Sequence, residues 1–295
     1  MIKVLDFLGR KAPLFLALGF FLGLILPKVQ YAFDVVTTPL LILLLITSMV
    51  RVNFQELITH LRSPLKLIVI VCFLMFVLPM GIGSFAQYLS LPPPLFLALL
   101  LVLCAPPLSS SPGLIALLKL DTDMALSVMV SATLLSPFSA PFVLSFISDQ
   151  FVSIDAIDLF IRLFLVVFIS MVLTIVIRKL LGKERIRTAV NVIDGCSALL
   201  MVLFAFLILN QFELYKLTDI SLVFQTGLMA LSVNWGMHAI ILFSACLVYL
   251  MYGVFSENKL KQTGAIAIMA GNRNMALFIV ILPPEYVVQI LFFMT

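Results

Sequence analysis

One basic residue in a long apolar sequence stands where chemistry is feasible. Arg273 lies in Gly271-Asn272-Arg273-Asn274, with apolar stretches on both sides. A guanidinium suits a carboxylate, sulfate or phosphate through paired hydrogen bonds. A second polar cluster, Ser109-Ser110-Ser111, lies between Pro106-Pro107 and Pro112-Gly113. Its hydroxyls could bind an anion or a small cation, or serve as local partners for freed backbone groups. Ser127 and Ser131 are four residues apart, so on a helix they share one face. They either face these clusters or bond the carbonyl four residues back. No HExxH, Walker loop, GxSxG or dinucleotide fingerprint occurs, so the residues support no enzyme.

These clusters must be held by membrane helices. Of 295 residues, 63% are hydrophobic and 11% charged, and the mean hydropathy is +1.24. A soluble domain is nearer half apolar and a quarter charged. Long unbroken apolar runs exclude a β-barrel, whose strands alternate polar and apolar. The composition offers no case for nucleic-acid binding. The runs predict helices at 12–28, 35–50, 64–86, 93–118, 124–148, 156–178, 195–211, 223–253, 263–282 and 285–295. The eighth region is too long for one perpendicular helix, which predicts a tilted helix near 235–253 after an interfacial segment. The tenth is too short to span, so it reads as partial or truncated. Cys72, Cys104, Cys196 and Cys246 all lie in apolar stretches without CxxC spacing and read as small buried hydrophobes.

With the N-terminus cytoplasmic, fourteen of the eighteen Lys and Arg fall on the inner side. Orientation follows that bias. The chain reads as multi-pass in a plasma membrane, the inner membrane if bacterial. The longest cytoplasmic linker, Lys179 to Asp194, falls near the middle. Divided ahead of that linker, after residue 152, the chain has five predicted helices on each side, and an odd number gives the two sets opposite orientations. That is the arithmetic of two inverted five-helix repeats, 1–152 and 153–295, the second with a short last helix. Corresponding helices also share a peculiarity. The fourth is interrupted at Cys104 to Gly113, and the ninth at Ala270 to Asn274. Irregular backbone at membrane depth is tolerated where it is buried in protein or lines a wet cavity. Paired breaks point to a transporter's binding site, here Gly271, Asn272, Arg273, Asn274, Ser109, Ser110, Ser111, Pro112, Gly113, Ser127 and Ser131.

The fourteen acidic residues all fall in loops or near helix ends. A proton relay or sodium cage ordinarily uses an intramembrane carboxylate, and none is clearly placed. For Arg273 three roles stay open. It contacts an anionic substrate, it ties carbonyls of the other broken helix or replaces an ion there, or it snorkels to an interface. Asp158 and Arg162, four apart, predict a local ion pair. His238, near Trp235, reads as packed or interfacial rather than as a ligand.

Several stretches resemble the bile acid:sodium symporter family. They are Leu41 to Met49 with Val52-Asn53-Phe54, Leu78-Pro79, Cys104-Ala105-Pro106-Pro107, Ala125-Leu126-Ser127-Val128 through Ser136-Pro137, and Gly271-Asn272-Arg273-Asn274. The resemblance covers most of the chain to about residue 282. It implies ten helices, a core and a panel domain, two crossing broken helices, and transport of organic anions with sodium. Of the implied sodium ligands, Ser127, Ser131 and Asn274 are kept. The others fall on Pro112, Gly113, Leu74, Met269 and Arg273, so the shared carboxylate is lost and a cation is gained.

The expected protein is therefore an all-α polytopic membrane protein. It would be a secondary transporter of small organic anions working by alternating access, without sodium coupling and without a cofactor. The alternatives are a conventional sodium-dependent symporter and a non-transporting membrane sensor or scaffold. The lipid bilayer and an organic anion are the expected partners. The sequence leaves the oligomeric state open.

Overall fold

The computed structural model describes residue 22 and residues 30–50, 64–108, 111–148, 155–210, 220–253 and 256–279. The predicted tenth helix lies outside these, as does the first except for Leu22. The described helices are α1 (Gln30–Val50), α2 (Pro64–Cys72), α3 (Leu78–Ala86), α4 (Pro93–Cys104), α5 (Ser111–Leu117) and α6 (Thr122–Ser148). They continue with α7 (Ala156–Leu181), α8 (Lys183–Thr188), α9 (Val190–Asn210), α10 (Ile220–Tyr252), α11 (Glu257–Gly271) and α12 (Ala276–Ile279). A π-turn over Phe73–Val77 joins α2 to α3. Stretches Leu65–Leu89, Thr122–Ile147, Ala156–Leu181, Val190–Ile208 and Phe224–Tyr252 are long and apolar enough to cross a bilayer. The chain is an all-α membrane protein.

One prediction is corrected. The eighth region is a single helix of 33 residues, with no separate interfacial segment. At 1.5 Å per residue it is about 50 Å long, so it exceeds the roughly 30 Å hydrocarbon core. Gly227 and Gly236 lie inside it, and neither ends it.

The acids at helix ends cap them. Asp121 Oδ1 accepts from Met124 N at 3.0 Å at the start of α6. Asp155 Oδ1 accepts from Ile157 N at 2.9 Å and Asp158 N at 3.2 Å at the start of α7. Each satisfies amide donors that the first turn leaves without a partner. The Asp158–Arg162 pair forms as expected, at 2.8 Å. Pro137 removes the amide that Thr133 O would accept four residues on. Ser136 Oγ takes that carbonyl at 2.8 Å, and α6 runs on through both of its prolines.

The chain forms two compact units, Met1–Val52 with Leu165–Ile220, and Asn53–Phe164 with Ser221–Thr295. Each draws on both halves of the sequence, so the units cut across the division at residue 152. In the first, α1 packs along α9. Ile46 and Val50 of α1 meet Ile186 of α8, with Ile42, Ile177 and Ile193 around them. Arg178 Nη1 donates to Val50 O at the end of α1. In the second, α6 is central and packs against α2, the π-turn, α3, α4, α5 and α11. Its apolar stretch is 61% buried, against 11% for α10, which lies at the edge of the described part of the unit.

Candidate functional site

The two interrupted helices of the second unit meet at their interruptions. α4 ends where Ala105 turns extended, with φ −65° and ψ 140°. The residue before a proline is pushed to that conformation. Pro106 and Pro107 bring no amide hydrogens, so the segment is rich in acceptors. α11 ends at Gly271, and Asn272 is extended, with φ −87° and ψ 102°. The two extended pieces then pair as one antiparallel bridge, Pro107 with Arg273. Asn274 N donates to Pro106 O at 2.7 Å, and Leu108 N donates to Asn272 O at 2.8 Å. Each break thus satisfies backbone groups that the other exposes.

Arg273 locks this crossover. Its side chain is only 5% exposed. Nε donates to Ala270 O at 2.7 Å, Nη1 to Ala105 O at 2.8 Å, and Nη2 to Leu74 O at 3.3 Å. Met75 Sδ lies 3.8 Å from Nη1. Three carbonyls from three segments therefore surround one guanidinium. Leu74 belongs to the π-turn, where wider turns disturb the usual carbonyl pairing. Of the three roles open to Arg273, snorkelling does not fit so buried a side chain. The bonds are those of a tie between carbonyls.

A third helix braces the second break. Asn234 Nδ2 of α10 donates to Gly271 O at 3.0 Å, and lies 3.4 Å from Asn272 Oδ1. His238 Nδ1 lies 2.6 Å from Asn234 O. A carbonyl only accepts, so Nδ1 carries the hydrogen. The imidazole packs on Gly271. A Cβ there would lie 1.8 Å from His238 Cε1 and 2.8 Å from Asn234 O. Only glycine allows this approach.

The remaining predicted residues divide. Ser109 and Ser110 lie outside the described residues. Ser111 is buried, and among the described residues its Oγ has no hydrogen-bond partner. Pro112 and Gly113 belong to α5 rather than to the break, with Gly113 exposed. Proline is tolerated in the first helical turn, which is why the helix starts ahead of Pro112. Ser127 Oγ bonds Asp123 O four residues back, at 2.8 Å. Ser131 is half-buried, one turn further along α6. Asn274 is buried within the crossover. Asn234 carried no signal in the sequence beyond being one amide in an apolar run. His238 is packed, and its place over Gly271 comes from the fold. Among the described residues, no His, Cys, Asp and Glu side chains gather in a group able to hold a metal.

Paired broken helices joined through their backbones narrow the comparison with known proteins. The profile of the sodium bile acid symporter family matches residues 38–217. The chain belongs to this family. No curated protein matches the chain. Membership makes the chain a multi-pass membrane protein of a transporter family, not an enzyme family. The matched part contains the first break and both α6 serines. It stops before Asn234, His238 and Arg273, so the second break is understood from its geometry and from the resemblance of Gly271 to Asn274.

Proposed function

We propose that the chain is a secondary transporter of small organic anions that works by alternating access without sodium. It is built as two inverted five-helix repeats, with the N-terminus cytoplasmic in the plasma membrane. The unit holding the crossover would be the family's core domain, and the other its panel. The carrying observation is the Arg273 guanidinium, bonded to Ala270 O, Ala105 O and Leu74 O. Carbonyl oxygens converging from separate segments would suit a small cation. Here a covalently attached cation fills that place. By the family resemblance, Leu74, Met269 and Arg273 stand where sodium ligands are expected. A free cation beside a buried guanidinium would be repelled by several kcal/mol at low effective dielectric. The buried positive charge also favours an anionic cargo near the crossover. Asn272, Asn274 and the serine cluster are the polar groups proposed to meet it.

The test is uptake of a panel of radiolabelled carboxylates, taurocholate included, into proteoliposomes holding the full chain. Sodium and potassium media are compared at equal ionic strength. Uptake of at least one anion is expected, with equal rates in both media. Sodium-dependent uptake would restore the conventional symporter. Binding without uptake would leave a sensor.

A further inference from the structure

An ionisable ring sits at the crossover with no part in the transport function so far assigned. We infer that His238 is the site at which a proton binds and couples to the movement of the anion, a step that rests on the transport proposed above. His238 lies near the middle of the 33-residue α10. It falls within Phe224–Tyr252, a stretch long and apolar enough to cross a bilayer, and an ionisable group within a membrane helix marks a functional path by default. Imidazole is the side chain that changes charge between about pH 5 and 8.

The geometry assigns the two nitrogens different tasks. Nδ1–H is committed to Asn234 O. Nε2 therefore carries the lone pair that takes the proton, and the ring becomes a cation. That ring lies against Gly271, the last residue of α11. Arg273 is two residues further on. The other described charges of α11, Glu257, Lys259 and Lys261, are ten or more residues back, about 15 Å or more along the helix. α10 contains no Asp, Glu, Lys or Arg, and its other ionisable groups are Cys246, Tyr249 and Tyr252. α3 and α4 face α10 across an apolar cleft lined by Ile82, Leu99 and Met237. They carry no charged residue, and Cys104 is the ionisable group on α4. The nearest charge along the chain that α10 braces is therefore a fixed cation.

A second positive charge next to that segment opposes the packing of α10 on Gly271. The neutral ring favours the closed crossover, and the charged ring favours an arrangement in which the two part. An anion arriving between His238 and Arg273 relieves the repulsion. Proton and anion then raise each other's affinity, as linkage requires. Nε2 takes the proton from the water on one side and returns it on the other, so nothing is oxidised and no other bond breaks.

The chain has one tryptophan, Trp235, three residues before His238 and so its neighbour on the helix surface. A charged imidazole quenches a nearby indole, so the wild-type full chain in nanodiscs reports His238 directly. The expected result is one pH-dependent fluorescence transition, absent in His238→Gln and His238→Asn. No transition in the wild type, or one that survives both substitutions, would overturn the inference. Taurocholate uptake under a clamped membrane potential then tests coupling. An inward proton gradient should raise wild-type uptake several-fold and leave the His238→Gln rate unchanged. Sodium-independent uptake that ignores the gradient defeats the proton site and leaves the transport proposal standing. Sodium-driven uptake defeats the transport proposal itself.

Discussion

Arg273 Nη1 donates to Ala105 O at 2.8 Å, tying together two helix breaks that lie 168 residues apart in the chain. The bond joins the end of α4 to the residues just after α11. Together with the Leu74 O contact it makes one side chain common to three segments of the unit.

Removing that side chain leaves three carbonyls without their donor. Each buried carbonyl left unpaired costs about 1–3 kcal/mol, less where water enters. Arg273→Leu should therefore lower the melting temperature markedly in detergent or nanodiscs. Arg273→Lys should rescue it only in part, because an ammonium is a point charge and cannot fork to separated carbonyls. A Leu variant as stable as the wild type would show that the tie contributes nothing.

Two glycines are crowded in different ways, and their alanine variants should differ. At Gly83, an added Cβ would meet the tips of Leu100 at 2.7 Å and Ile147 at 2.8 Å. Such tips swing aside cheaply. At Gly271 it would meet the His238 ring and the Asn234 backbone oxygen. Overpacking of this kind costs about 1–3 kcal/mol. Gly271→Ala should be the more damaging in thermal melts. Adding His238→Ala should recover part of the loss, since Asn234 O remains in the way. Equal melting temperatures for the two alanine variants would contradict the packing of α10 on the break.

The α6 hydroxyls separate a structural role from ion binding. Ser136 Oγ replaces an amide that Pro137 cannot supply, so Ser136→Ala should cost about 1–3 kcal/mol, as an unpaired buried carbonyl does. Ser127 Oγ bonds a carbonyl at 2.8 Å four residues back, Asp123 O. Bonds of that kind add little to helix stability. Ser127→Ala should be nearly neutral in stability and in uptake. Loss of uptake with stability retained would place that hydroxyl at an ion or substrate.

The breaks were legible because prolines or a glycine coincide there with clustered polar side chains, and these act through local backbone rules. Arg273 was legible for the same reason, although its partners were not. They are backbone carbonyls, and no side-chain pattern marks a carbonyl. The π-turn is invisible in Phe73-Leu74-Met75-Phe76-Val77, since all five are apolar. Asn234 and His238 are single polar residues on α10, and only packing tells which face meets Gly271. The length of α10 was misjudged because its first part was read as a separate interfacial segment, although a helix can exceed the bilayer thickness. The two compact units were not legible as sequence segments, because each is assembled from both halves of the chain.

The most direct test of the central claim, that Arg273 takes the place of the coupling cation, is the melting temperature of the full chain against NaCl, with KCl at matched ionic strength. A ligand that binds only the folded state stabilises it by RT ln(1 + [L]/Kd), about 2.7 kcal/mol at a hundred times Kd. The account predicts identical curves in the two salts for the wild type. It predicts a sodium-specific rise when Arg273→Gln is combined with Met269→Glu. A sodium-specific rise in the wild type would contradict it.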